Sequence, residues 1–272
     1  MIKIGTDKNK ILEEINQIAY HIILNLEYCK DAGLYHGKTG ISIFLFHLFK
    51  YTSNNFFSDI GFQLLNEIQS QIHLNYPINY ESGLSGIGTG IEYMCQNKLI
   101  DGDSDDILED FDGLILDVIH TIHIQNLSIS HGLCGLGKYL IYRKTNLKKD
   151  RIEINKKIEY ALDIILNTIN DKIKNELLKY KSDYLNPIWK DILSFLAEMS
   201  KYGFSNKCYK SIEILMQYEI KNRKEVIYPR FELEGKVHSK FGLYDGYAGR
   251  GLFLLQKIDK SINYRQQLLE LV

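Results

Sequence analysis

A short glycine-rich phrase occurs four times in this chain, and each copy stands at the start of an apolar stretch with helical spacing. The copies share the pattern Gly-x-x-Gly-x-Gly/Ser, and they begin at Gly37, Gly83, Gly132 and Gly246. Self-similarity over tens of residues is typical of a repeat architecture. The polar residue before the first glycine differs between copies, so a closed array of repeats would turn unlike polar side chains toward one centre.

The composition is that of an ordinary globular protein with a substantial core. The chain has 272 residues, of which 45% are hydrophobic and 25% charged, and its formal net charge is −1. Nothing in this balance indicates a nucleic-acid or membrane partner. No stretch has the roughly 18 consecutive apolar residues that span a bilayer, and the first ten residues do not form a secretory signal. We expect a cytoplasmic protein.

The apolar spacing predicts an all-α fold. Apolar residues recur at intervals of three and four along 11–26, 107–122 and 154–173, which indicates amphipathic helices. Three prolines leave most helical stretches uninterrupted, and no segment shows sustained apolar and polar alternation.

The phrases divide the chain into helix pairs. Their first glycines are 46, 49 and 114 residues apart, and the last interval is about two periods long. A degenerate copy around Pro187 gives five pairs in one domain, 1–272, with 222–240 as a long loop. Neighbouring pairs must stack to bury their apolar faces, either as an open solenoid or as a closed ring. The second helix of each pair is more apolar, which predicts inner helices covered by outer ones.

The glycines are interpreted as architectural. A sharp turn into a helix that lies close to other backbone favours glycine, because glycine lacks a Cβ. Phosphate binding at the helix starts is the alternative. The pattern differs from the dinucleotide fingerprint, however, no strand precedes it, and no Gly-Lys-Ser/Thr sequence follows it.

The phrases resemble the lanthionine synthetase C-like (LanC-like) family. Leu34–Ile41, Gly83–Gly88 with Ile91–Met94, and Leu243–Leu252 carry the resemblance. It implies an α/α-toroid that cyclises a ribosomally made precursor peptide. In typical members a zinc ion, held by two cysteines and a histidine, activates a cysteine thiol that adds to a dehydrated residue. The resulting enolate then takes a proton from a donor such as histidine.

The chain departs from the family pattern at the metal ligands. The family places them in Trp-Cys-x-Gly and Cys-His-Gly phrases, whereas here Lys190 follows Trp189 and no Cys-His pair occurs. The cofactor is therefore left open, and no metal ligand is assigned.

The position before the first glycine supplies the candidate site residues. His36, His131 and Asp245 are predicted as an acid/base cluster, with a makeshift metal site as a weaker alternative. The competing interpretation is that these residues cap helices. Cys134, three residues after His131, is interpreted as packed rather than nucleophilic.

The other chemically notable residues are assigned structural roles. The acidic run 101–112 is predicted to be a helix entry capped by Asp103 or Ser104. The His120 and His123 pair is predicted to be solvated or interhelical. His21 and His47 are predicted to be core histidines. Three cysteines are predicted to lie in helices and in the core: Cys29, Cys95 and Cys208.

Two functions fit these sequence features. The first is a cyclisation-type enzyme of peptide maturation, and the second is a catalytically inactive peptide-binding or scaffold subunit beside another modifying enzyme. A glycan-acting toroid ranks last because it needs paired carboxylates, and Asp245 is the only acid at a centre-facing position. The expected partners are a precursor peptide and a second peptide-modifying enzyme, with no nucleic acid and no membrane.

Overall fold

A computed structural model describes residues 8–73, 75–121, 124–177, 188–221, 241–244 and 246–259. All regular structure in these ranges is helical, so the all-α prediction is confirmed. The α-helices are α1 (Lys8–Leu24), α2 (Lys38–Thr52), α3 (Asn55–Gln71), α4 (Leu84–Gln96), α5 (Ser104–Ile107), α6 (Glu109–Thr121), α7 (Leu133–Asn146), α8 (Ile152–Lys172), α9 (Ile188–Met199), α10 (Ser205–Lys221) and α11 (Tyr247–Ile258). A short 3₁₀ helix covers Leu26–Tyr28 and a π-helical turn covers Ile173–Leu177. Ser200–Phe204 is a kink between α9 and α10, in which Tyr202 and Gly203 have non-helical backbone angles.

The order of the helices agrees with five helix pairs. The pairs along the chain are α1 with α2, α3 with α4, α6 with α7, α8 with α9, and α10 with α11. The helix predicted over 107–122 is interrupted at Leu108, where α5 ends and α6 begins. Asp103, one of the two predicted capping residues, caps α5, because its side chain accepts a hydrogen bond from the Asp105 N–H. Pro187 and the predicted loop 222–240 lie outside the described residues.

The chain divides into two compact units, one made of 1–108 with 239–272 and the other of 109–238. In the first unit α2 packs against α3, α4 and α11, and α11 also packs against α1. In the second unit α7 packs against α8 and α9, while α8 also contacts α6 and α10. The single-domain organisation stays a prediction. In the described ranges no helix is both long and apolar enough to cross a membrane.

Within each unit the second helix of a pair is the more deeply buried one. Every residue from Lys38 to Leu48 in α2 is buried, whereas α1 buries only the stripe Ile11, Ile15, Ile18, Ala19 and Ile22. Helix α7 is likewise buried from Leu133 to Ile141. A helix that is covered on all sides favours apolar and small residues. Lys38 and Arg143, charged side chains that α2 and α7 bury, are paired with the acids Glu67 and Asp112.

The glycine phrases form the same turn in front of each inner helix. The first glycine is the N-cap in every copy, with φ between −106° and −129° and ψ between −167° and −172°. Near the start of the helix, an N–H then donates to the carbonyl seven residues earlier. These bonds run from Lys38 to Asp31, from Leu84 to Pro77, from Leu133 to Asn126 and from Ala248 to Phe241, with N–O distances of 2.7–3.1 Å. Donors that would otherwise lack a partner at a helix start are therefore satisfied by the turn itself.

The lack of space around these glycines explains the residue type. Their backbone angles are extended and open to any residue, but a Cβ on Gly37, Gly83 or Gly132 would lie 2.3–2.5 Å from the carbonyl oxygen six residues earlier. One turn later, a Cβ on Gly86 would lie 1.9 Å from the Tyr80 carbonyl oxygen. The architectural interpretation of the glycines is confirmed.

A buried ion pair fixes α6 to α7 in the second unit. Arg143 donates from Nε and Nη2 to the Asp112 carboxylate at 2.8–3.1 Å, and the Tyr139 hydroxyl donates to the same carboxylate at 2.5 Å. All three side chains are at most 2% exposed. Because a buried charge is costly without partners, this fully bonded carboxylate specifies the pairing of the two helices.

Two structural expectations are wrong. His21 is exposed rather than in the core, and its ring packs 4.7 Å from that of Tyr247 on α11. Cys29 is buried but follows the 3₁₀ helix instead of lying within a helix. His47 is a core histidine as predicted, with its Nε2 hydrogen-bonded to the Tyr93 hydroxyl at 2.9 Å. Cys208 is buried in α10 as predicted. The prediction for Cys95 is confirmed only in part, because it lies in α4 but is half-buried rather than in the core.

Replacing Gly86 with alanine should destabilise the protein by about 3 kcal/mol, because the new methyl group meets a backbone carbonyl that cannot move independently. Gly113→Ala is the matched control. Gly113 is an exposed helical glycine with no atom within 4 Å of its would-be Cβ, and alanine there should stabilise by about 0.5–1 kcal/mol. Urea unfolding of both variants measures the difference. Equal free energies of unfolding for the two variants would contradict the close approach.

His47 should make the protein sensitive to acid. Burial lowers its pKa from 6.5 to about 3, with a smaller contribution from Lys50. Between these values the unfolded chain binds a proton that the folded protein does not, so stability falls as pH falls from 6.5 toward 3. His47→Gln, which cannot titrate, should reduce the loss of unfolding free energy between pH 7 and pH 5 by about 2 kcal/mol. The exposed His73→Gln variant should behave as wild type.

Candidate functional site

Three of the turns that precede inner helices meet at Tyr35 in the first unit. The Tyr35 N–H donates to the Glu81 carbonyl at 3.1 Å, and the Tyr35 carbonyl accepts from the Tyr244 N–H at 3.0 Å. The turns are in tight contact, since a Cβ on Gly33 would lie 2.3 Å from Ser82 Cα. These bonds bring together Asp31, Tyr35, His36, Glu81 and Tyr244, which we call the entry cluster.

His36 is the central titratable group of the entry cluster. Its Nε2 lies 3.6 Å from Glu81 Oε1, and its side chain is 36% exposed against 26% for Glu81. The ring stands perpendicular to that of Tyr244, with centroids 6.1 Å apart. His36 is therefore accessible to a ligand and also lies next to a carboxylate.

An exposed aromatic surface lies beside His36. The Tyr244 ring is stacked on Tyr35 with centroids 4.9 Å apart and an interplanar angle of 14°. Tyr244 is 55% exposed, whereas Tyr35 is buried and meets the buried Tyr80 edge-on at 5.9 Å. One face of the tyrosine stack is fixed by the core, and the outer ring is presented to solvent.

Asp31 adds a second carboxylate to the cluster. Its Oδ1 accepts a hydrogen bond from the Gly33 N–H at 2.7 Å. Burial raises the pKa of Asp31, the Gly33 bond and His36 oppose that rise, and Glu81 adds to it. The nearby Cys29 thiol also has a raised pKa, chiefly through burial and then through the charge of Asp31. The thiol is thus disfavoured as a nucleophile.

His131 occupies the equivalent position before Gly132 in the second unit. Its side chain is exposed, and its backbone N–H donates to Ser128 Oγ at 3.2 Å. Cys134, the second residue of α7, is fully buried, and burial followed by the charge of Asp191 raises its pKa well above the ordinary value. This environment supports the packing interpretation of Cys134 and not the nucleophilic one.

The predicted site residues are thus only partly described. His36 belongs to the first unit and His131 to the second, while Asp245 lies outside the described residues. The alternative that His36 and His131 are helix caps is wrong, because Gly37 and Gly132 are the N-caps and neither start has a side-chain cap. The catalytic roles of His36, His131 and Asp245 stay predictions.

The predicted histidine pair of α6 is described at one position only. His120 is exposed, with its ring 5.4 Å from that of Tyr160, as expected for a solvated residue. His123 lies outside the described residues.

The helix starts do not offer a phosphate site. A phosphate bound at a helix N-terminus requires backbone N–H groups that point at it. The first N–H groups of α2, α4 and α7 already donate to the preceding turn. The occupied donors disfavour the phosphate-binding alternative.

The described residues do not fit the zinc ion of typical LanC-like proteins. In this part of the chain no three His, Cys, Asp or Glu side chains form a group that could hold a metal ion. Zinc ligation requires deprotonated thiols, and burial raises the pKa of Cys29, Cys134 and Cys208. Within the entry cluster, the imidazole of His36 and the carboxylate of Glu81 are groups that can accept or donate a proton.

Four members of the entry cluster were not singled out by the sequence pattern: Glu81, Asp31, Tyr35 and Tyr244. Glu81 lies two residues before Gly83, and Asp31 lies six residues before Gly37. The other copies of the phrase have no acidic residue at the corresponding positions. A search for charged residues near every phrase would have found both. It would not have shown that Glu81, rather than Asp31, approaches His36 most closely.

A known protein family matches the part of the chain that contains most of the entry cluster. The family model described as lanthionine synthetase C-like protein matches residues 28–187, which are 160 of the 272 residues and include the first three glycine phrases. Among curated proteins the chain has no match. The repeated turns, the alternation of exposed and buried helices and the family match agree, and the α/α-toroid fold class follows from them. The chain belongs to the lanthionine synthetase C-like family.

Proposed function

We propose that this protein takes part in the cyclisation-type maturation of a ribosomally made peptide, in which a cysteine thiol adds to a dehydrated residue. One observation carries the proposal: within the family-matched segment, a solvent-accessible histidine lies beside a carboxylate at the entry of an inner helix. The imidazole side chain is the protein group best suited to accept and return a proton near neutral pH.

The addition needs one proton to be removed and one to be supplied. A free cysteine thiol has a pKa of about 8.5, so most of it is protonated near neutral pH and a base increases the thiolate fraction. Neutral His36 accepts the thiol proton, and the sulfur forms a bond to the β-carbon of dehydroalanine or dehydrobutyrine. The electron pair of the double bond moves into the carbonyl group as an enolate. The imidazolium of His36 then returns the proton to the α-carbon, so that S–H has added across the double bond.

Tyr244 supports the proposal as a contact surface for the peptide. Its exposed ring is held by stacking on Tyr35 and lies next to His36. A rigid tyrosine offers a large contact area at low cost in conformational entropy. A peptide that packs on this ring brings its reacting residues close to the imidazole.

The cyclisation test uses a synthetic peptide that carries dehydroalanine followed, a few residues later, by cysteine. The wild-type protein should accelerate the loss of the free thiol, measured by alkylation and mass spectrometry. His36→Ala should slow this loss by about 100-fold, the lower range for general acid–base catalysis. His73→Gln, at an exposed histidine outside the entry cluster, should retain the wild-type rate. Equal rates for the His36 variant and the wild type would contradict the assignment.

A peptide-binding subunit without catalysis is the second candidate. It is favoured by the raised pKa of the described buried thiols and by the lack, among the described residues, of a group that fits zinc. In this case the same peptide binds to the entry cluster but its thiol persists.

Tyr244→Ala should weaken binding of the fluorescently labelled peptide by about 10-fold, since it removes an exposed aromatic contact. Fluorescence anisotropy measures the change in Kd. Tyr209→Ala is the matched control, because Tyr209 is 71% exposed but lies on α10. If both variants bind as tightly as wild type, the peptide does not use this surface.

A further inference from the structure

We infer that Glu81 is a positioning residue for His36, which fixes the tautomer of the imidazole and stabilises its protonated form during proton transfer. The inference rests on the proposed function for its catalytic consequence, but the contact itself is a property of the folded protein. Neither the glycine phrases nor the family match assigns a role to Glu81.

The backbone holds the two residues in register. The Glu81 carbonyl accepts from the N–H of Tyr35, the residue before His36, at 3.1 Å. The Glu81 turn is braced from the other side, since Asn79 Oδ1 accepts from the Ser82 N–H at 2.9 Å and the Asn79 carbonyl accepts from the Gly83 N–H at 3.0 Å. The approach of the Glu81 carboxylate to the imidazole therefore follows from two turns that are fixed to each other, and not from a chance encounter of long side chains.

The contact selects one nitrogen of the ring. Glu81 Oε1 lies 3.6 Å from Nε2 of His36. This is an ion-pair contact, longer than a hydrogen bond. A negatively charged carboxylate attracts an N–H and repels a nitrogen lone pair, so it favours the neutral tautomer with its proton on Nε2. The lone pair of that tautomer is on Nδ1, which is then the atom that takes the thiol proton. Once the ring is protonated, the same carboxylate stabilises the imidazolium.

The other groups around His36 are less suited to this role. Asp31 lies near enough to His36 for the imidazole to oppose the rise in the Asp31 pKa, but its Oδ1 already accepts a hydrogen bond from the Gly33 N–H. Tyr244 and Tyr35 meet the imidazole ring edge-on, with centroids 6.1 and 6.3 Å away. The Glu81 carboxylate, by contrast, lies within ion-pair distance of the imidazole, at 3.6 Å from Nε2.

The kinetic test compares Glu81→Gln, Glu81→Asp and the double variant with His36→Gln, all with the dehydroalanine and cysteine peptide. Glu81→Gln should lower kcat roughly 10- to 100-fold, the usual effect of losing a carboxylate that orients a functional histidine, and should leave KM within about 2-fold. Glu81→Asp should restore part of kcat. The double variant should be no slower than His36→Gln alone, because the carboxylate acts through the ring. Glu27→Gln, at an exposed glutamate of the 3₁₀ helix, is the matched control.

A second measurement does not depend on activity. Ring ¹⁵N signals of His36 report which nitrogen carries the proton, and Glu81→Gln should lower the share of the Nε2-protonated tautomer, whereas Glu27→Gln should not. Unchanged signals in Glu81→Gln would overturn the inference whatever the rates are. A fall in kcat that persists in the His36→Gln background would also overturn it, since Glu81 would then act directly on the substrate. If no protein cyclises the peptide but the tautomer shifts, the proposed function fails and the positioning contact stands.

Discussion

The hydrogen bond from the start of an inner helix to the carbonyl seven residues earlier is the constraint on which the rest of the structure depends. It draws the preceding segment back over the helix start, and the first glycine of the first three phrases is needed because this return leaves no room for a Cβ. The bond also uses the donors that helix starts usually offer to anions. The repeated turn thus uses the backbone N–H groups that could otherwise bind an anion. Ligand binding or catalysis at the turn therefore depends on the side chains that vary between the copies.

Tyr35 joins these turns into one site in the first unit. Its N–H contacts the second turn, its carbonyl contacts the last turn, and its ring supports Tyr244. A site that is built from backbone bonds between neighbouring turns is well ordered before any ligand arrives, which is what precise proton transfer requires. His36 is therefore a better candidate for proton transfer than the exposed His73, which follows the end of α3.

Much of the fold was predictable from periodicity, whereas the site was predictable only in part. The phrases marked the starts of α2, α4, α7 and α11, because glycine is required wherever the returning carbonyl lies close. His36 was found from its place in the repeat. Glu81 was not, because its approach to His36 depends on the stacking of two turns that lie far apart in the chain. His21 was misplaced because apolar neighbours in sequence do not define which side of a helix a residue occupies.

The bond between Tyr35 and Tyr244 joins residues that are 209 positions apart, 244 minus 35. During synthesis the ribosome makes the first turn, with His36, long before it makes the turn that carries Tyr244. The entry cluster therefore has no outer ring, and one of these two backbone bonds of Tyr35 cannot form, until the segment with Tyr244 has been translated. Until then a nascent chain carries the histidine without its complete surroundings, so the site forms late relative to the synthesis of His36.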